Sequence, residues 1–125
     1  MILLDEEVYD KLSINVNLGQ INVVQGYPTE YYDLPLISYI CETNNVARKT
    51  DGREVTTYLV YKIDLFCTDD DENIEFYCSD IDDAMSSLGM KRIQYTMIQE
   101  PNGVHIVFRY SVYIDETGYA WDSCF

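Results

Sequence analysis

The chain is poor in positive charge. Eight Lys and Arg stand against 22 Asp and Glu, a net charge of −14 over 125 residues. No basic residue lies between Lys62 and Lys91. That interval holds Asp64, Asp69, Asp70, Asp71, Glu72, Glu75, Asp80, Asp82 and Asp83. Gripping a phosphate backbone needs clustered Lys and Arg, so ordinary DNA or RNA binding is disfavoured. An anionic membrane surface is equally unattractive. Three readings of the acidity stay open: a solubilising surface, a face that meets a basic partner, or a wall that repels DNA and lets it slide past.

Other absences narrow the chemistry. Cys41, Cys67, Cys78 and Cys124 are too far apart for a Cys-x-x-Cys metal or redox pair. The acidic start Met-Ile-Leu-Leu-Asp-Glu-Glu lacks the basic and apolar regions of a secretory signal, which predicts reduced thiols. Cys67 and Cys78 then read as small core or half-buried residues. No apolar run is long enough to span a bilayer. His105 is the sole histidine and has no Ser, Cys or Asp motif to pair it, so it reads as a surface or interface residue and not a catalytic base. Gly103 and Gly118 are isolated turn glycines, so no phosphate-binding loop is expected, and neither a nucleophile elbow nor a zinc site is visible. The chain is read as a non-enzyme without metal or cofactor.

What is present is a folded domain's pattern. The hydrophobic fraction of 47% argues against global disorder. Asp5 to Ile14 reads as a short helix with Val8 and Leu12 on its apolar stripe and Asp5 as N-cap. Asn15 to Leu34 reads as irregular, with Tyr27, Tyr31 and Tyr32 around Pro28. Leu34-Pro35-Leu36 should be extended, and Leu36 to Glu42 a strand. Asn44 to Arg53 reads as a polar loop around Asp51-Gly52 that carries Arg48, Lys49 and Arg53, three of the eight bases. A loop of this length between strands predicts a long hairpin arm.

The next stretch is the most regular. In Val55 to Cys67 one face holds Val55, Thr57, Leu59, Tyr61, Ile63, Leu65 and Cys67, and the other holds Thr56, Tyr58, Val60, Lys62, Asp64 and Phe66. Both faces carry apolar residues, so one is expected to meet helices and the other a partner chain. A helix follows from about Asp71–Glu75 to Leu88, striped by Ile74, Tyr77 or Cys78, Ile81, Met85 and Leu88, with Gly89 as its C′ residue. Lys91 to Ile98, with Ile93, Tyr95 and Met97 on one face, forms a hairpin with Val104 to Ile114 through Glu100-Pro101-Asn102-Gly103. Val104, Ile106, Phe108, Tyr110, Val112 and Ile114 make one nearly pure apolar face. The run Asp69, Asp71, Asn73 fits the first, third and fifth places of a calcium loop. Ile74 stands where that loop needs glycine, and Asp80 where it needs glutamate, so helix-start acids are the better reading.

The order and spacing of several segments resemble the tail terminator (tail completion, head-tail joining) proteins of long-tailed bacteriophages and prophages. The segments are Val8-Tyr9-Asp10-Lys11-Leu12, Leu34-Pro35-Leu36-Ile37-Ser38-Tyr39, Asp51-Gly52-Arg53-Glu54 leading into Val55 to Thr68, Leu88-Gly89-Met90-Lys91-Arg92, and Phe108-Arg109-Tyr110-Ser111-Val112. Together with the element order, the resemblance implies an α+β fold: a central antiparallel β-sheet of about four strands, packed on one side by two helices. Residues 1–117 would be a single domain and 118–125 an aromatic tail. It also implies a homo-oligomer, a hexameric ring that caps the tail tube, stops its polymerisation and forms the head-tail joining surface. Its partners would be the tail tube protein and head-tail connector proteins, with DNA only passing through the lumen and no membrane. Its place would be the head-proximal end of the virion tail, and the host cytoplasm during assembly. Candidate subunit or partner contacts are Arg48, Lys49, Arg53, Tyr58, Tyr113 and Trp121. The alternatives are a head-tail connector or adaptor of the same assembly and an acidic DNA-mimic inhibitor.

Overall fold

The computed structural model describes residues 4–15, 21–26, 34–50, 53–101, 103–115 and 120–121. Their element order is α1 (Asp5–Asn15), β1 (Asn22–Gln25), β2 (Leu36–Thr50), β3 (Arg53–Cys67), α2 (Ile74–Ser87), β4 (Lys91–Glu100), β5 (Gly103–Asp115) and β6 (Ala120–Trp121). The α+β class is as expected, with two helices and one sheet. The sheet differs in detail. Its order is β1-β2-β3-β5-β4, with the two-residue β6 beside the end of β5. It is mixed, because β1 runs parallel to β2, while the remaining pairs are antiparallel. Within the aromatic tail, Ala120 and Trp121 pair with Ile114 and Tyr113.

Alternation in β3 and β5 builds the core. Leu59, Tyr61, Ile63, Leu65 and Cys67 of β3 and Ile106, Phe108, Tyr110, Val112 and Ile114 of β5 point to one side and are buried. Both helices share that core. Val8 and Leu12 of α1, and Tyr77, Ile81, Ala84 and Met85 of α2, close over it. Side chains at this depth each contribute about 1.5–3 kcal/mol by leaving water. Cys67 is buried and Cys78 half-buried, as their spacing in the chain predicts.

Asp5 does not cap α1 from outside but is its first residue. The Tyr61 hydroxyl donates to Asp5 Oδ1 at 2.6 Å and accepts the Leu4 backbone N–H at 2.9 Å. The free end of α1 is thereby tied to the middle of the sheet, and a donor that a helix start leaves orphaned is satisfied. Helix α2 ends as the sequence predicts. The Gly89 N–H reaches Ser86 O and the Met90 N–H reaches Met85 O, the paired bonds of a Schellman motif. Gly89 sits at φ +79°, where an L side chain is strained. Gly89→Ala should therefore lower stability by about 1 kcal/mol, read as an earlier urea midpoint with unchanged m-value.

Two segments read as irregular are strands. The backbone of 22–25 forms β1 against Leu36–Tyr39. The polar stretch from Asn44 is no loop: β2 continues to Thr50, paired with β3 out to Thr50 opposite Arg53. Register shifts between Cys41 and Thr43, and around Arg48, absorb the irregular sequence there. The Leu34–Pro35 peptide is cis, and the extended chain begins only at Leu36. The tyrosines at 27, 31 and 32 lie outside the described residues. So do Gly19, Pro28, Asn102, Gly118 and Cys124.

Candidate interaction surface

The sheet face turned away from the helices carries the polar and aromatic groups. Strict alternation puts Tyr58, Lys62, Asp64 and Phe66 of β3 there, beside His105, Arg109 and Tyr113 of β5. An open face was expected here for a partner chain, but Thr56, Val60, Asp64 and Val107 are buried on it.

His105 is not unpaired. Its Nε2 lies 2.7 Å from Asp64 Oδ1, and Lys62 Nζ lies 3.7 Å from Asp64 Oδ2. The imidazole also stacks on Phe66, with ring centroids 4.4 Å apart and planes 16° from parallel. The carboxylate is 3% exposed, and the imidazole and the Lys62 ammonium are the polar groups that meet it. Ser38 faces Asp64 from β2, and His105 comes from β5 on the other side. By register, Asp64 sits on the strand between those that carry Ser38 and His105.

A second cluster crosses three strands. Arg109 donates through Nε to Glu42 Oε1 at 2.7 Å and through Nη2 to Glu42 Oε2 at 3.1 Å, a two-pronged contact. Its Nη1 donates to Gln94 Oε1 at 2.6 Å. The Arg109 guanidinium holds the Glu42 carboxyl below the usual carboxylate range, and the Arg109 pKa rises in return. β2, β5 and β4 are thereby pinned together over the buried strand β3. No single segment signals either cluster, because both depend on which strands become neighbours.

Among the contact candidates, the sheet aligns three. Tyr58 is opposite Tyr113, and Tyr113 is opposite Trp121, so β3, β5 and β6 place them in one row. The Tyr58 and Tyr113 rings meet at 4.9 Å between centroids, tilted by 45°. Both are half-buried. Arg48, Lys49 and Arg53 lie at the far end of the β2–β3 pair, where Lys49 faces Glu54 and Thr50 faces Arg53. Their side chains, like that of Trp121, are outside the described residues. Arg48 pairs with Thr56, two residues from Tyr58 along β3, so the aromatic row and the basic end of the β2–β3 pair lie at the same end of the sheet.

The acidic turn before α2 has local tasks. Asp71 Oδ1 accepts the Asn73 N–H at 2.9 Å, and Asp69 Oδ1 accepts from Gln99 Nε2 at 2.9 Å. Helix α2 begins at Ile74, inside the span that a twelve-residue calcium loop starting at Asp69 would occupy.

The surface that sequence reasoning missed is β4. Lys91 to Ile98 alternates as if half-buried, yet all ten residues of the strand are exposed. Ile93, Tyr95, Met97 and Ile98 stand open along it, and Phe76 of α2 is 69% exposed. β4 forms one end of the strand order, so its outer edge has no strand beside it among the described residues.

Among the described residues no helix is long and apolar enough to cross a membrane. No protein-family model matches the chain, and no curated protein matches it.

Proposed function

We propose that this chain is a structural assembly protein of the tail-terminator kind: a ring-forming subunit that caps a phage tail tube, ends its polymerisation and offers the surface to which the head joins. The observation that carries the reading is the reach of the β2–β3 hairpin. Its ladder extends to Thr50 and Arg53, whereas β5 accompanies β3 only as far as Thr56 opposite Asp115. Lys49 and Arg53 lie beyond the last β3–β5 pair, and Arg48 stands level with it, opposite Thr56; we read this tip as an arm. A basic arm on a chain of net charge −14 is complementary to the body of a neighbouring copy. Head-to-tail repetition of such a contact closes a ring if the rotation closes. An acidic body also suits a lumen that DNA crosses without adhering, since like charges repel.

The chemistry on the sheet supports contact over catalysis. The His105–Asp64–Lys62 and Arg109–Glu42 groups satisfy one another. A head-tail connector of the same assembly would share the arm and the acidic body, and differs in what it caps.

The test is electron microscopy of the purified protein, alone and mixed with tubes polymerised from the tail tube protein encoded beside its gene. The expected result is a six-fold ring assembled on tube ends. Reversing the three arm charges (Arg48→Glu, Lys49→Glu, Arg53→Glu) should leave the fold intact by circular dichroism and abolish the ring. A protein that stays monomeric at high concentration and ignores tube ends sinks the reading.

A further inference from the structure

Strand β4 has the features of an edge that is normally covered. Exposed edge strands are commonly blunted by charges along their length, by proline or by extreme shortness. β4 is ten residues long, exposed at every position, and carries neither charge nor proline from Ile93 to Gln99. Its charges sit only at the two ends: Lys91 and Arg92 at the start, Glu100 at the finish.

We propose that β4 pairs antiparallel with β4 of a second copy of this chain across a two-fold axis, so that one sheet runs through both subunits. The sequence of the strand selects the register. A two-fold axis normal to the sheet must pass midway between a residue and its own copy standing opposite. Centring on Thr96 places Tyr95 opposite the copy's Met97 and Gln94 opposite Ile98. The bulge between Arg92 and Gln94 then takes up one residue, and Lys91 comes opposite Glu100.

Faces agree with this. Lys91 pairs with Ser111, and Glu100 stands two places beyond Ile98, which pairs with His105, so both lie on the side away from the helices. Tyr95 and Met97 pair with Phe108 and Ile106, so both lie on the helix side. The dimer gains two Lys91–Glu100 pairs, two Tyr95–Met97 contacts of sulfur with ring, and the backbone hydrogen bonds of an added strand. Centring on Tyr95 instead sets Lys91 against Ile98 and leaves Glu100 beyond the paired length. Charge therefore favours the Thr96 register. The contact is isologous and is distinct from the head-to-tail contact that a ring requires.

Charge exchange tests the register. Wild-type protein should sediment as a dimer at micromolar concentration and moderate salt. Lys91→Glu alone and Glu100→Lys alone each set like charges opposite twice, and each should weaken the dimer at least about tenfold. Glu100→Lys is the sharper variant. It brings the net charge from −14 to −12 by losing one Glu and gaining one Lys, which by bulk repulsion alone would strengthen association. An equimolar mixture of the two variants should restore a dimer of near wild-type affinity. One of its two charge pairs is then the native Lys91–Glu100 contact, and the other is the same contact with the two charges exchanged. Circular dichroism confirms that both variants fold. A wild-type chain that is monomeric throughout, single variants that dimerise as well as wild type, or a mixture that stays monomeric overturns the proposal. Assembly on tail tubes is read separately by microscopy, so failure here leaves the ring reading standing, and the reverse.

Discussion

Phe108→Ala is expected to lower the free energy of unfolding by about 3–5 kcal/mol. Phe108 is fully buried at the middle of β5, opposite Ile63 on β3 and opposite Tyr95 on β4. Tyr95 meets it edge-on at 5.3 Å between centroids, and Tyr110 lies near-parallel at 6.2 Å. Truncation would remove the ring that these neighbours pack on and leave a cavity in the shared core. Strands on both sides hold β5 by hydrogen bonds, so the site can collapse only slightly and the cavity cost stays high. A domain of this size has a total stability of roughly 5–15 kcal/mol, so the variant would lose a large share of it. Urea unfolding followed by circular dichroism checks this. An earlier midpoint with unchanged m-value is expected, and a loss under about 1.5 kcal/mol, that of a tolerated swap, would show that the core is not organised around this ring.

Stability should also fall steeply with alkalinity from about pH 9 upward. Burial pushes the Cys67 thiol from its ordinary value of 9.0 up to about 12. Between those values the folded chain keeps a proton that the unfolded chain has released. The associated stability is therefore complete below about pH 9 and is lost as pH rises toward 12, at about 1.4 kcal/mol per pH unit for one group. Tyr61 and Tyr110 add to this above pH 10. Burial raises both pKa values, and the carboxylates their hydroxyls donate to, Asp5 and Asp82, raise them further. With three such groups titrating only in the unfolded chain, the slope reaches about 4 kcal/mol per pH unit. Chemical unfolding measured from pH 8 to 11 should show the break. Cys67→Ala should flatten the segment between pH 9 and 10 by about 1.4 kcal/mol per unit, and an unchanged slope there would assign the effect to other groups.

The parts of the fold that were legible in the chain are those where a local period decides the outcome. The stripe from Ile74 to Leu88 repeats every three or four residues and ends in Gly89, and α2 occupies that stretch with the expected face inward. The alternation from Val104 to Ile114 is strict enough to name the buried face of β5. Where composition and neighbours disagree, composition misleads. Asn44 to Thr50 is polar and reads as a loop, but the ladder offered by β3 extends it as strand, since pairing outweighs weak propensity. β4 shows the converse. Its alternation is that of a half-buried strand, and only the strand order reveals that nothing in the described chain covers it. The His105–Asp64 pair was illegible for a related reason. The two residues are far apart in sequence and meet diagonally because Phe66 faces His105, and register between distant strands is not written in either one.

The strand order has a kinetic meaning. β2 and β3 form one local hairpin, β4 and β5 another, and α2 is the stretch of chain between them. Each hairpin can close early because its loop is short. The two halves become one sheet only when β3 meets β5 from Thr56 to Cys67, a long-range pairing whose loop-closure entropy must be met before its contacts form. The central seam, and not either hairpin, then sets the folding rate. Substitutions that weaken β3–β5 contacts act on the speed of folding as well as on stability, while those on β4's outer edge leave that speed alone.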